Sequence, residues 1–232
     1  MTLAKGEKQR DRVLGEDEIN KYLAACPQPW RDCATLILDE GFRPGEVFAL
    51  RWPHLLFNED HTGLIQIVDG KSKAARRMLP MMPRVYAMLR ERYESAGKPE
   101  DGWVFPSASA SGHFNQNVSK DQHKIALTNS GVEPFPPYVL RHTALTKLGE
   151  AAGGDVFVLA RIAGHSSITI TQRYVHPQAD AISRVFANCH AGTVKGDKLL
   201  RAGGVGTKMG TVRNQSKKRA LGAGRQRALK PA

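Results

Sequence analysis

Two basic segments of this 232-residue chain could bind an anionic substrate. Arg43 directly precedes Pro44 at the predicted start of a helix, where free backbone amides and the helix dipole already favour an anion. Lys71 lies in a basic turn between two predicted strands, and such a turn can place an amine in a substrate groove. Taken alone, each residue is more often an ordinary surface side chain, so neither decides the function.

Two further segments carry groups suited to proton transfer and nucleophilic attack. Tyr138 and Arg141 open one predicted helix, while His165 follows a glycine and Tyr174 comes nine residues later. Histidine changes its charge near neutral pH, and a phenol is a weak nucleophile until a base or nearby cations stabilise its anion. Singly, these residues too are most often structural.

Several common classes of site are missing from the sequence. It contains neither a G-x-x-x-x-G-K-[ST] phosphate loop nor a G-x-G-x-x-G fingerprint, and no H-E-x-x-H pair of metal ligands. Cys26, Cys33 and Cys189 are far apart and form no C-x-x-C pair, which disfavours a disulfide framework and fits a reducing compartment. We therefore expect no nucleotide, metal or other cofactor.

Taken together, the four segments resemble the catalytic domain of the tyrosine recombinases, the phage-integrase family. The strongest matches are G-F-R-P-G-E-x-x-x-L-x-W from Gly41, L-R-H-T from Leu140, and G-H-S-S-x-x-x-T-x-x-Y-x-H-P from Gly164. The resemblance covers residues 13–190 and is specific to the family, though not to any subfamily.

The resemblance implies a role for each matched residue. Arg43 and Arg141 are the two active-site arginines, His165 is the histidine that precedes the nucleophile, and Tyr174 is the nucleophile. Attack on a DNA phosphodiester concentrates negative charge on the non-bridging oxygens, which forked, permanently charged arginines can bind. The phosphotyrosyl bond stores the energy of the broken phosphodiester, so neither ATP nor a metal ion is needed.

Two assignments by resemblance leave alternatives open. Lys71 is the lysine of the β-hairpin and the candidate general acid for the leaving 5′ oxygen, with Lys73 as the alternative because hairpin lengths vary. Family members usually have histidine three residues before the second arginine, where this chain has Tyr138. We keep Tyr138 as a site residue of undefined role.

Other polar and aromatic residues near these motifs are less specific. Glu46 either orients Arg43 or lies on the surface, and the spacing fits both roles equally. Ser72 and Thr171 could contact phosphate. We assign three aromatic residues to the core rather than to base stacking: Trp52, Trp103 and Phe105.

The hydrophobic pattern predicts an α+β fold, mainly helical with a small antiparallel sheet, and the resemblance implies the fold of tyrosine recombinases and type IB topoisomerases. A first helix begins near Gly15 and is broken by Pro27 and Pro29, and Pro44 begins another. Further helices are predicted over 30–40, 83–95, 115–129, 139–152, 155–163, 169–174 and 178–187, and strands over 54–57, 63–68 and 77–81. In helix 178–187, Ile182 and Phe186 could contact a neighbouring subunit or the same chain.

Charge divides the chain unevenly. Its formal net charge is +12, but residues 191–232 hold eleven Lys or Arg and one acid, a net charge of +10 that leaves +2 for the rest. We expect a leader or linker remnant over 1–12, a catalytic domain over 13–190 and a basic, disordered tail over 191–232. That tail is either a solvated end or a non-specific phosphate-binding arm, and both can hold.

The sequence thus favours a site-specific DNA recombinase that cleaves and rejoins strands through a 3′-phosphotyrosine. By resemblance its partners are double-stranded DNA and further protomers in a tetrameric synapse, with room for accessory DNA-bending proteins. One alternative is a type IB topoisomerase. Another is a DNA-binding remnant without catalysis, because family members usually carry an N-terminal clamp domain and this resemblance begins almost at Met1.

No stretch approaches 18 consecutive apolar residues, and the first residues lack the apolar core of a signal peptide. We therefore expect no membrane partner and a cytoplasmic, nucleoid-associated location.

Overall fold

A computed structural model describes residues 12–68 and 73–175 of the chain, apart from the side chain of Lys73. Eight α-helices and one three-stranded sheet form this described part, which confirms the predicted α+β class. The helices are α1 (Glu16–Ala25), α2 (Trp30–Glu40), α3 (Pro44–Phe48), α4 (Pro83–Ser95), α5 (Gln116–Ser130), α6 (Tyr138–Ala151), α7 (Val156–Ala163) and α8 (Ile168–Gln172), and the strands are β1 (Leu55–Phe57), β2 (Gly63–Ile67) and β3 (Arg77–Pro80).

Local sequence signals explain where several helices begin and end. The α2 helix ends at Gly41, whose backbone adopts the left-handed conformation (φ 66°) that glycine tolerates best. Pro83 and Pro44 occupy the first positions of α4 and α3, where proline loses no intrahelical hydrogen bond. At the start of α7, the Asp155 carboxylate accepts hydrogen bonds from two backbone amides.

The sheet is antiparallel in the order β1-β2-β3, and its strands alternate between buried and exposed side chains. Leu55, Ile65 and Leu79 face each other in one buried cross-strand row. The next buried pair is Ile67 opposite Arg77. An arginine therefore occupies a core-facing position of β3, which the sequence analysis did not single out.

A buried polar network joins α1, α2 and α5. His123 Nε2 lies 2.7 Å from the carbonyl oxygen of Phe135, which can only accept, so the Nδ1 atom accepts from the Tyr22 hydroxyl at 2.6 Å. The Tyr22 oxygen in turn accepts from Trp30 Nε1 at 2.7 Å. Because these groups are satisfied, the network fixes three helices of the core in one arrangement.

Two details of the prediction are wrong. The last described helix ends at Gln172 rather than at Tyr174, so the tyrosine lies in the turn that follows α8. Trp52 and Phe105 are buried as predicted, but Trp103 is only half-buried, with its ring 4.6 Å from that of His113 and the Arg51 guanidinium over it.

Predictions for the ends of the chain lie outside the described residues. They concern segments 1–11 and 176–232, including helix 178–187, Ile182, Phe186, Cys189 and the basic tail. Within residues 12–68 and 73–175, no helix is long and apolar enough to cross a membrane.

Candidate active site

The C-terminal end of α7 is a meeting point for three arginines from three different elements. Its last carbonyl groups and that of the glycine cap each accept a hydrogen bond from one of them. Arg77 Nε donates to Ile162 at 2.7 Å, Arg141 Nη2 to Ala163 at 2.8 Å, and Arg43 Nη2 to Gly164 at 3.0 Å. Helix C-termini have unpaired carbonyls and a negative dipole end, so they attract cations.

Arg43 is held at the N-terminus of α3 while its side chain stays accessible. Its backbone N–H and its Nη1 atom donate to the two carboxylate oxygens of Glu46, each at 2.9 Å. The Arg43 side chain nevertheless remains 40% exposed. It therefore combines a fixed orientation with room for an anion.

Arg141 is far more buried. It lies in the first turn of α6 and is 7% exposed, and its Nη1 atom donates to the carbonyl of Gly41. Burial, together with the nearby charge of Arg43, lowers the pKa of Arg141 to about 10, which leaves it a cation at neutral pH. Since both arginines bind the same turn, their guanidinium groups converge there.

His165 follows this turn, and its hydrogen bonds define its tautomer. Arg141 Nη2 lies 3.2 Å from His165 Nε2, and because arginine can only donate, Nε2 accepts. The proton is then on Nδ1, which donates to the buried Thr171 hydroxyl at 2.9 Å. Burial and the surrounding arginines lower the pKa of His165 to about 4. His165 is thus neutral at pH 7, and Thr171 orients the imidazole.

Tyr174 lies beside His165, with 6.3 Å between ring centroids and an interplanar angle of 23°. The residue is only 4% exposed. Burial and the neighbouring Tyr138 hydroxyl raise the pKa of Tyr174 to about 12, despite the opposing charges of Arg141 and Arg173. In the free protein the phenol therefore remains protonated.

Tyr138 opens α6 and is 39% exposed. Its hydroxyl lies 3.5 Å from Nδ1 of the buried His142, whose ring centroid is 5.3 Å from that of Tyr174. The residue that replaces the family's usual histidine thus belongs to the same cluster as the candidate nucleophile.

The buried ion pair of Glu46 and Arg77 completes the cluster. Glu46 accepts from both terminal nitrogens of Arg77, at 3.0 and 2.9 Å, and the two side chains are 8% and 0% exposed. Although burial opposes it, hydrogen bonding to Arg77 and Arg43 lowers the pKa of Glu46. Of its two predicted roles, the orienting one is correct and the surface one is wrong.

The lysine assignments stay predictions. Lys71 and Ser72 lie outside the described residues, and Lys73 begins a short 3₁₀ turn (Lys73–Ala75) of which only the backbone is described. The predicted site residues that the structure brings together are thus Arg43, Tyr138, Arg141, His165 and Tyr174.

A cavity of about 820 Å³ opens next to this cluster, bordered by Arg43, Glu46, Gln66, His165 and Ser166. Three arginines and one carboxylate give the cluster a net positive charge, since His165 is neutral. Such a site can bind a singly charged phosphodiester and stabilise the extra negative charge of its transition state. Across the residues placed by the structure, no three His, Cys, Asp or Glu side chains are grouped to hold a metal ion.

The model of the phage integrase family matches residues 12–180. The chain belongs to this family, which confirms the resemblance drawn from its motifs.

Known proteins that the chain resembles include recombinases of the Xer group. The tyrosine recombinase XerC of Xanthomonas axonopodis pv. citri is 27% identical over 191 residues, which cover 80% of this chain and 61% of that protein. The chain thus spans about three fifths of the length of this relative.

Solved structures support the fold. The XerH site-specific recombinase bound to difH substrate, in a pre-cleavage complex, matches with a TM-score of 0.59 at 18% identity, over 80% of this chain and 55% of that one. The catalytic domain of bacteriophage HP1 integrase matches with a TM-score of 0.51 at 22% identity, over 75% of this chain and 93% of that domain. The described fold is that of a tyrosine recombinase catalytic domain.

Proposed function

We propose that the chain provides the catalytic domain of a site-specific DNA recombinase, which cleaves and rejoins strands through a covalent 3′-phosphotyrosine at Tyr174. The observation that carries this proposal is the convergence of Arg43, Arg141 and His165 on the turn after α7, with the Tyr174 ring stacked beside the imidazole. The relatives named as tyrosine recombinases and the DNA-bound XerH structure support it.

The proposed reaction is an in-line displacement at phosphorus. The Tyr174 oxygen bonds to phosphorus while the bond from phosphorus to the 5′ oxygen breaks. Arg43 and Arg141 bind the non-bridging oxygens, where negative charge increases in the transition state. Because these donors are already fixed by Glu46 and the backbone, little reorganisation is needed during the reaction.

Two proton transfers accompany the displacement. The phenol of Tyr174, with its raised pKa, must lose its proton to a base as it attacks. Neutral His165 is the proposed acceptor: a bound phosphate would take the Arg141 donor from its Nε2 lone pair and offset the arginine charges that hold the pKa of His165 low, so the imidazole becomes more basic as the phenol attacks. Lys71 is proposed, by family resemblance, to protonate the leaving 5′ oxygen. Reversal of these steps with a different 5′ hydroxyl rejoins the strands and restores the free enzyme.

Double-stranded DNA is the proposed partner, with four protomers in the full synapse as family membership implies. The cytoplasm, close to the nucleoid, is the proposed location. Type IB topoisomerase activity and DNA binding without catalysis are the alternatives.

The decisive experiment is covalent capture on a pool of nicked duplexes with randomised arms, in which the nick prevents religation. Wild-type protein should form adducts that resist denaturation, and mass spectrometry should find the modification on Tyr174. Tyr174→Phe should abolish capture, while the matched variant Tyr86→Phe, on α4 away from the site, should retain it. Adducts that proceed to Holliday junctions indicate recombination, and relaxation of plasmids without junctions indicates a topoisomerase. Binding without any adduct would reject catalysis.

A further inference from the structure

We propose that Arg77 is a positioning residue for this reaction: its buried guanidinium fixes Arg43 through Glu46 and fixes the turn that carries His165. Its catalytic consequence rests on the proposed function. The Arg77 side chain is 0% exposed, so it cannot itself contact a DNA phosphate. Any effect on cleavage must therefore pass through the groups it binds.

The first of these groups is Glu46. Both carboxylate oxygens accept from Arg77, and the same two oxygens accept from Arg43, one from its Nη1 atom and one from its backbone N–H. The carboxylate is thus shared between a buried arginine and a half-exposed one. Without Arg77, Glu46 would be free to turn, and Arg43 would lose its fixed orientation.

The second group is the turn after α7. Arg77 Nε donates to Ile162, whose neighbour Ala163 binds Arg141 and is followed by Gly164, which binds Arg43. A β-carbon built on Gly164 would lie 2.7 Å from Arg77 Nη1 and 3.2 Å from Arg43 Nη1. The guanidinium groups therefore pack directly against this turn, and removal of one changes the support for the others.

The third group is the end of the hairpin. Arg77 Nη1 donates at 2.7 Å to the carbonyl of Ala75, which closes the 3₁₀ turn that begins at Lys73. Arg77 thus binds the backbone at two places: Ile162, in the turn before His165, and Ala75, in the 3₁₀ turn that begins at Lys73. One side chain connects three elements whose relative placement the reaction requires.

Arg92, a partly buried arginine whose side chain is 25% exposed, provides a control for simple loss of stability. Arg92 pairs with Asp32 at 2.8 Å, donates to the Val104 carbonyl at 2.9 Å and lies over the Phe105 ring at 4.8 Å. Arg77 makes the same three kinds of interaction, with a carboxylate, with backbone carbonyls and with an aromatic ring, its guanidinium lying 5.5 Å from the Phe42 ring. Both side chains support the core, but only that of Arg77 bonds to residues of the candidate site.

The first test needs no DNA. In the full chain labelled with ¹⁵N-arginine, the Arg43 guanidinium should give separate, restricted NMR signals. Arg77→Gln should average them through free rotation, whereas Arg92→Gln should leave them unchanged. If Arg77→Gln fails to fold, Arg77→Lys, which keeps the charge but loses the fork, serves instead. Unchanged Arg43 signals in the folded Arg77 variant would overturn the proposal, whether or not the chain cleaves DNA.

The second test measures covalent capture on duplexes selected with the wild-type protein. Arg77→Gln should slow adduct formation about 10²-fold, the typical effect of losing a charge-stabilising donor, with the Kd for DNA unchanged within about twofold. A methylphosphonate at the scissile position is neutral, so the transition state of its cleavage needs less positive charge from the site. The loss of rate in Arg77→Gln should therefore be about tenfold smaller on this substrate than on the phosphodiester, and the same should hold for Arg43→Gln. Arg92→Gln should retain near wild-type rates on both substrates.

The outcomes separate the two proposals. A defect in Arg77→Gln that is equal on the two substrates, or no larger than that of Arg92→Gln, rejects the positioning role while leaving the function intact. Absence of adduct from the wild-type protein rejects the function, and the NMR measurement then decides the positioning role by itself.

Discussion

The backbone carbonyl of Tyr174 occupies the space that a β-carbon at Gly149 would need. A β-carbon at Gly149 would be 2.5 Å from the Tyr174 oxygen and 3.1 Å from a methyl group of Leu159. The first approach is closer than real packing allows, and its atom belongs to the backbone, which cannot rotate away; the second is tighter than most β-carbon contacts. The absence of a side chain in the last turn of α6 therefore determines how closely the segment of Tyr174 packs against this helix.

Gly149→Ala should displace Tyr174 and slow covalent capture about 10²-fold, because a misplacement of about 1 Å can cost that much. Although alanine favours helix more than glycine does, the clash should lower the free energy of unfolding by about 1–3 kcal/mol. Gly15→Ala is the control, since the nearest atom to its β-carbon is 3.9 Å away. A wild-type capture rate in Gly149→Ala would contradict this dependence.

Arg141→Lys should reduce the rate of adduct formation at least about 10²-fold although the charge is kept. The two terminal nitrogens of Arg141 reach the Gly41 carbonyl, the Ala163 carbonyl and His165 at once, which the single amine of lysine cannot do. Single-turnover capture on the selected duplex measures the effect. Arg161→Lys, at an exposed position of α7, should cleave normally. Near-normal cleavage by Arg141→Lys would show that charge alone is sufficient.

The sequence predicted most of the fold because its helices begin and end at residues with strong local preferences. Pro83, Gly41 and Pro44 define boundaries that agree with the structure to the residue. The end of α8 was missed because no glycine or proline marks it. There, the approach of Tyr174 to α6, a contact between segments distant in sequence, determines the backbone.

The site was predicted only as far as its motifs extend. Arg43, Arg141, His165 and Tyr174 are in recognisable segments, whereas Arg77 makes its contacts with residues 31 and 85 positions away. One local signal was present but was not used: Arg77 and Leu79 share a face of β3, whose side chains alternate between buried and exposed, and that pattern places a charge on the inward face. Its partner could not be identified without the fold.

Tyr138→Phe should lower the pKa of Tyr174 from about 12 towards the ordinary value, because the Tyr138 hydroxyl favours the neutral phenol. The shift should be partial, since burial of Tyr174, the larger cause, remains. Titration of ¹³Cζ-labelled tyrosine by NMR measures it directly, with Tyr86→Phe as a variant that leaves this environment intact. An unchanged Tyr174 titration in Tyr138→Phe would exclude an interaction between the two hydroxyls.

Glu40→Gln should stabilise the protein in a pH-dependent way. The Glu40 carboxyl is 5% exposed and accepts from the Met82 amide at 2.7 Å, and burial raises its pKa from 4.5 to about 7. Between these values the folded state binds more protons than the unfolded state, so the contribution of Glu40 to stability is complete below pH 4.5 and decreases up to about pH 7.

Neutral glutamine does not titrate, so the stability gained by Glu40→Gln over wild type should increase between pH 4.5 and 7 by roughly 3 kcal/mol. Urea unfolding at several pH values measures this difference, and Glu59→Gln, at an exposed position, should show little dependence. His123 contributes a trend of opposite sign, because burial lowers its pKa and the stability it provides is lost as the pH falls below 6.5. Wild type and Glu40→Gln share this trend, so it cancels when their free energies of unfolding are subtracted. If that difference did not change between pH 4.5 and 7, ionisation of Glu40 would cost the folded state no stability.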